Sequence, residues 1–323
     1  MSTRQAFLAA LDVQTPLARV TVIKAEGSTP REAGADMLIT ASDFVGTIGG
    51  GTLEFDVIDA ARKLLTETEE IAWLRQVRDY PLGPSLNQCC GGFVSVLVER
   101  FTPTERERVG QSVTGLNRLA RPVISGTEPI RVGMDIAAPD HVISKFDTAD
   151  FAAIKDQDET WIIDRQLQPD FALYLYGAGH VGRQLVRILA DANVEIVWID
   201  IDAKRFPEAI PPNAQRVPAQ EPWRMAAHAP EDAYHLVMTH SHALDLDICN
   251  AVLQRGAFGF LGLIGSKTKK ARMVKRLRAL GVAEDSLGRM VCPIGIDGIT
   301  GKDPAIIAVS TAAQLMQVAS KPA

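Results

Sequence analysis

A mixed α/β fold is predicted: an N-terminal strand-rich α/β domain, then a Rossmann-like, doubly wound parallel-sheet domain. Three observations predict it. From Phe171 onward, short apolar runs alternate with stretches of helical spacing, the pattern of a parallel sheet with crossover helices. The first of those runs leads into Gly177-Ala178-Gly179-His180-Val181-Gly182, a glycine turn between strand and helix. A chain of 323 residues with 46% hydrophobic composition is also long enough to bury two cores.

The elements follow in order. After a short amphipathic start, Leu17 to Lys24 reads as a strand, with a turn at Gly27-Ser28-Thr29-Pro30 and a second strand from Met37 to Thr40. Phe44 to Ile48 forms a third, and runs through Gly49-Gly50-Gly51 into a helix over Thr52 to Leu65 whose apolar positions include Leu53, Val57, Ala61 and Leu64. Strands at Ile71 to Val77 and Phe93 to Glu99 complete a domain over residues 1–101. Residues 102–168 carry charges, turns and short apolar runs without a clear period, and read as a connecting region of partial order.

In residues 169–323 the series is strand Phe171 to Tyr176, helix His180 to Ala192 and strand Val194 to Ile199. It continues as strand Tyr234 to Met238, a helix near Asp245 to Gln254, strand Phe258 to Leu263, helix Thr268 to Leu280 and strand Met290 to Cys292. The closing helix starts with Asp303 as N-cap and Pro304 in its first turn, and its apolar spacing predicts a buried stripe of Ile306, Val309, Ala313 and Met316.

Composition narrows the function. A net charge of -5 supplies no global basic field for nucleic acid, and no apolar run is long enough to span a bilayer or to form a signal-peptide core. The expectation is a cytoplasmic protein without nucleic-acid or membrane partners. Its cysteines, Cys89, Cys90, Cys249 and Cys292, are too few for a disulfide framework and contain no zinc-type Cys-x-x-Cys pair.

Two glycine turns stand out. Gly177, Gly179, His180 and Gly182 place backbone N–H groups at the positive end of a helix, where a phosphate binds, and Asp200 ends the next strand, where a carboxylate can accept ribose hydroxyls. This leaves NAD(P) or another nucleotide open as a ligand. Gly49, Gly50 and Gly51 offer a second set of donors, with Arg31 as a charged clamp, although three glycines can equally serve a sharp turn. Cys89 and Cys90 stand before Gly91 and Gly92 on a loop, which leaves redox chemistry, metal or sulfur handling, or simple burial as readings; for a metal, Cys90, next to the glycines, is the favoured ligand.

A basic stretch, Lys267, Lys269, Lys270, Arg272, Lys275, Arg276 and Arg278, reads first as a solvated helix face and second as a docking surface for an acidic partner. Ser266 and Lys267 begin it at a strand-to-helix corner and are ligand candidates. His240 and His242 qualify only as crevice-lining residues, and Asp297 as a cap first and a ligand contact second. No arrangement of residues suggests a catalytic acid–base pair, so from the residues alone an NAD(P)-dependent oxidoreductase is a rival to a binding protein.

Taken together, Gly27 to Arg31, Gly46 to Gly51 with Glu54, Gln88-Cys89-Cys90-Gly91-Gly92, Gly177 to Gly182, Gly262 to Lys267 and Pro293 to Asp297 resemble the XdhC/CoxI family. The resemblance implies an accessory protein more than a catalyst, a molybdenum cofactor-binding chaperone of xanthine dehydrogenase maturation. It implies binding of molybdopterin-type cofactor during sulfuration by a cysteine desulfurase, and cofactor insertion into the molybdenum subunit of apo xanthine dehydrogenase. An even-numbered homo-oligomer is the expectation from general frequencies.

Overall fold

The computed structural model describes residues 2–11, 13–67, 73–82, 91–107, 119–122, 140–143, 151–156, 159–164 and 169–320. It divides into two compact units, Met1–Gln168 and Pro169–Ala323.

The first unit is built on an antiparallel sheet in the order β3-β2-β1-β5-β4. Its strands are β1 (Leu17–Glu26), β2 (Asp36–Ile39), β3 (Phe44–Gly46), β4 (Trp73–Pro81) and β5 (Phe93–Phe101). Helix α1 (Thr3–Ala9) begins with a capping box in which Ser2 Oγ accepts from Gln5 N and Gln5 Oε1 accepts from Ser2 N. Its Phe7 packs against Leu17, Leu38 and Phe101. Helix α2 (Gly51–Thr66) buries Leu53, Val57, Ile58, Ala61 and Leu64 with Val20, Val22, Val96 and Val98 of the sheet. Arg19 is fully buried, and its guanidinium meets Asp36 at 2.7 Å, joining β1 to β2.

The stretch expected to be a connecting region holds a second antiparallel sheet, ordered β6-β8-β7, from β6 (Leu119–Pro122), β7 (Phe151–Asp156) and β8 (Glu159–Asp164). A short helix, α3 (Asp140–Ile143), lies between β6 and β7 in sequence. Ile162 of this sheet clusters with Ile23 and Leu97 of the larger one. Charged residues at strand ends and the absence of long apolar runs hid these strands from periodicity.

The second unit is a parallel six-stranded sheet in the order β11-β10-β9-β12-β13-β14. The strands are β9 (Phe171–Tyr176), β10 (Val194–Asp200), β11 (Ala214–Pro218), β12 (Tyr234–Val237), β13 (Phe260–Leu263) and β14 (Met290–Val291). The chain runs outward from β9 to one edge, then returns to build the other half from β12, so the switch point lies between these two strands. Alternate residues of β9 divide between the two faces. Tyr174 and Tyr176 join the core beneath α5 (His242–Arg255) and α6 (Lys267–Ala279), whereas Leu173 and Leu175 join that beneath α4 (His180–Ile188) and, after the short α7 (Glu284–Gly288), α8 (Pro304–Ala319).

Asp303 caps α8 through Ala305 N, as the sequence suggests, but the buried stripe is different. Ala308, Thr311, Ala312 and Leu315 face inward, while Ile306 and Val309 are 41% and 47% exposed. The helix is apolar on more than one side, so periodicity allows either stripe; small Ala308 and Ala312 let its backbone come close to the sheet and α4. Strand β11 escaped notice because Gln215, Arg216 and Pro218 make this edge strand read as a polar loop.

His235 on β12 is 1% exposed, with its Nδ1 3.2 Å from the Tyr176 hydroxyl. Burial, reinforced by the positive charge of Arg255, lowers its pKa to about 4. The unfolded chain takes up this proton near the ordinary value of 6.5, the folded protein only near 4. Stability should therefore be unaffected by this group above the upper value and fall as pH drops through the window, by about 3 kcal/mol in full. Denaturant titrations across that window should show the loss in the wild type and a smaller one in His235→Gln, which keeps an acceptor for Tyr176.

Candidate functional site

The carboxyl edge of the parallel sheet collects most of the second unit's candidates. Gly177 sits at φ +118°, and a Cβ there would lie 2.5 Å from the Met238 carbonyl oxygen, so its glycine is dictated by the approach of β9 to β12. Gly182 is dictated by packing too, since a Cβ would lie 2.4 Å from Gly177 O. Gly179 differs. Its φ of -77° suits any residue, and nothing lies within 4 Å of where a Cβ would stand. It is the N-cap of α4, makes no side-chain cap, and is exposed together with His180, the first residue of the helix. The first turn of α4 thus presents backbone donors beside open space.

Asp200 is 6% exposed and anchors the turn from the other side. Its Oδ2 accepts from Ala178 N at 2.7 Å and its Oδ1 from Asp202 N at 3.2 Å, with Arg205 Nε 3.8 Å away. The Arg205 guanidinium reaches His240 Nδ1 at 3.1 Å. The cavity among Tyr176, Gly177, Asp200, Thr239 and His240 is about 10 Å³, room for about one water.

Next along the edge, Asp245 of α5 is 1% exposed and gathers three donors. Thr239 N and Oγ1 donate to its Oδ1 at 3.2 and 2.7 Å, and Lys269 Nζ donates to its Oδ2 at 2.7 Å. Lys269 Nζ also donates to Ile264 O at 2.8 Å. In the sequence Lys269 is one of a basic run and Asp245 only the start of a helix; the i, i+6 spacing of Thr239 and Asp245 carries no motif that would betray the pair. Ser266 is the N-cap of α6, its Oγ accepting from Lys269 N at 3.2 Å, and Lys267 is the exposed first residue of that helix. Between α5 and α6 lies a groove of about 430 Å³ lined by His242, Ser266, Thr268, Arg272, Met273 and Arg276 along with Lys269.

Cys249 and Cys292 are buried here as free thiols, and burial pushes both up from their ordinary pKa. They are packing residues rather than reactive ones. Among the described residues no group of three or more His, Cys, Asp or Glu could hold a metal ion.

In the first unit, three of the motifs meet. A Cβ on Gly49 would lie 2.3 Å from Pro30 Cβ, and one on Gly92 would lie 2.4 Å from Ser28 O. Arg31 Nη1 donates to Thr47 O at 3.3 Å, while its Nη2 pairs with Glu32 at 3.3 Å. The glycine turn 27–31, the loop 46–51 and Gly91-Gly92 therefore share one corner. The donors of the loop have an internal partner, however. Glu54 Oε2 accepts from Thr47 Oγ1 at 2.6 Å, Gly50 N at 3.0 Å and Ile48 N at 3.2 Å, and Thr47 Oγ1 accepts from Gly49 N at 3.1 Å. A carboxylate of the chain stands where an anion was expected, favoured by the same helix N-terminus. Gly49, Gly50 and Gly51 adopt φ of +127°, +76° and +69°, so the turn itself calls for glycine. Cys89 and Cys90 lie outside the described residues.

The comparisons with known proteins match this two-part architecture. A family described as "XdhC Rossmann domain" matches residues 173–315, and one described as "XdhC and CoxI family" matches residues 10–78. A protein of Bacillus subtilis, named as a probable component of xanthine dehydrogenase, is 27% identical over 96% of this chain and 95% of its own length. The "Uncharacterized protein YqeB" of Escherichia coli is 26% identical over 94% of this chain, which spans 43% of that longer protein. A crystal structure described as a xanthine dehydrogenase from Bacillus halodurans has the same fold, with a TM-score of 0.74 at 23% identity over 100% of this chain and 98% of its own.

Two substitutions test these anchors. Lys269→Met should destabilise the second unit by about 3 kcal/mol, because it leaves the buried Asp245 carboxylate without its cation. Glu54→Ala should cost about 1 kcal/mol by removing the shared acceptor at the start of α2. Chemical denaturation at neutral pH checks both, and equal losses would contradict the difference in burial.

Proposed function

The chain belongs to the XdhC and CoxI family, and from that premise we propose that it is an accessory protein of xanthine dehydrogenase maturation that holds the molybdenum cofactor. The single observation that carries a phosphate-bearing ligand is Gly179. Its conformation does not require glycine and no part of the protein fills the space beside it, so an approaching ligand is what a side chain there would obstruct. The residues present fit the phosphate end of such a cofactor: Gly179 and the first turn of α4 would receive it, and His180 stands at the rim.

The cofactor, when bound, supplies a metal centre for oxygen-atom and electron transfer in the enzyme that receives it. The chain's part is to bind, orient and release. In this reading a cysteine desulfurase and the molybdenum subunit of apo xanthine dehydrogenase are the partners, with sulfuration before insertion. The name of the Bacillus subtilis relative supports the association with that enzyme. No described helix is long and apolar enough to cross a membrane. The thiol role proposed for Cys90, with Cys89 beside it, rests on sequence.

The arrangement around Asp200 favours this reading over an NAD(P)-dependent oxidoreductase. A ribose hydroxyl would have to compete with Ala178 N and Asp202 N for the carboxylate. Asp200 serves first as an anchor of the turn.

Gly179→Asp makes the sharpest variant, since aspartate is a favourable N-cap and meets no neighbour, yet places a negative charge where the phosphate would lie. It should leave thermal stability unchanged or slightly raised and weaken binding of molybdopterin-type cofactor at least about tenfold, near 1.4 kcal/mol. Pterin fluorescence recovered from protein reconstituted with intact cofactor reads this directly. Equal recovery from wild type and variant would refute the phosphate assignment, and tight NADH binding with turnover of carbonyl substrates would favour the oxidoreductase.

A further inference from the structure

The groove between α5 and α6 is not used by the fingerprint turn, and it has its own chemistry. We propose that it binds a small organic phosphate, with the phosphate between Arg272 and Arg276 and the rest of the ligand along the groove beside their side-chain stems. Thr268, Arg272 and Arg276 recur at every fourth residue of α6 and therefore share one face of it. Across the groove stands His242, the first residue of α5.

The cations of this face have different tasks. Lys269 is committed to Asp245 and to Ile264 O, an arrangement that fixes α6 against α5 and sets the groove walls before any ligand arrives. Arg272 and Arg276 make no ion pair with another described residue and are exposed. Two planar guanidinium groups one turn apart suit the forked recognition of a phosphate. Thr268 adds a hydroxyl, while Ser266 Oγ is already accepting from Lys269 N.

The shape selects the class of ligand. A volume of about 430 Å³ is within the ordinary range for small-molecule sites, roughly 300–1,000 Å³, and the groove opens at the carboxyl edge of β12 and β13, where ligands of such sheets bind. The methylene stems of Lys269, Arg272 and Arg276 line the groove above the buried Met273, and give it an apolar surface that a bare inorganic anion would leave unused. An acidic protein would instead be drawn to the whole basic helix, with Lys267, Lys270 and Lys275 contributing as much as the arginines.

Adenosine 5′-monophosphate is the probe, titrated into isotope-labelled full-length protein while backbone amide resonances are followed. The expected result is saturable shifts at Thr268 to Arg276, an affinity at least about tenfold tighter than that of inorganic phosphate, and no effect of adenosine. Arg272→Gln with Arg276→Gln should weaken binding at least about tenfold with an unchanged thermal midpoint, whereas Lys267→Gln with Lys275→Gln and Gly179→Asp should each leave it within about twofold. Absence of shifts at about 5 mM probe would overturn the proposal. So would equal affinity for inorganic phosphate, or binding that survives loss of both arginines. Binding sensitive to Gly179→Asp alone would place the probe at the fingerprint turn and overturn the groove assignment while leaving the reading of that turn intact.

Discussion

Asp245 joins what would otherwise be three loosely related pieces of the carboxyl edge. One oxygen holds the segment leaving β12 through Thr239, the other holds α6 through Lys269, and the residue itself belongs to α5. Removing a carboxylate from water is costly, so this position is tolerable only because a cation and a hydroxyl meet it there. The return is geometrical. With the ends of β12 and β13 and the starts of α5 and α6 tied together, the crevice on one side and the groove on the other keep their separation.

The two glycine-rich helix entries show how the same local chemistry can close or stay open. Both α2 and α4 begin with a glycine N-cap and no side-chain cap from that residue. In α2 the acid Glu54 bends back and takes the loop's donors, which makes a self-contained turn. In α4 the acid comes from the neighbouring strand, and Asp200 reaches only as far as Ala178 N, leaving the turn beyond it exposed. A negative charge is attracted to either helix start; whether the chain supplies it determines whether a ligand can.

The parallel sheet was legible because β9, β10, β12 and β13 are dense in apolar residues, and the Gly177 to Gly182 fingerprint fixed where the first crossover begins. The strands of 102–168 and β11 were not, since their identity depends on pairing partners that no local window contains. Helix α8 illustrates a subtler limit: its start was readable from Asp303 and Pro304, but which of two apolar stripes goes inward was settled by the close approach that Ala308 and Ala312 permit. At the site, the sequence identified where anions would gather without revealing which donors the chain already satisfies. Glu54 stands within the motif that drew attention to its loop, yet only three dimensions show its oxygen among those N–H groups.

The exposed Arg272 and Arg276 have a consequence for how this edge responds to its surroundings. The one lysine in the groove has its charge met by Asp245, so the positive field of this face comes chiefly from the two arginines. The reach of that field is governed by dissolved ions, which shorten it from about 10 Å at 0.1 M to about 3 Å at 1 M. Ionic strength is thus a variable to which this face of the protein responds.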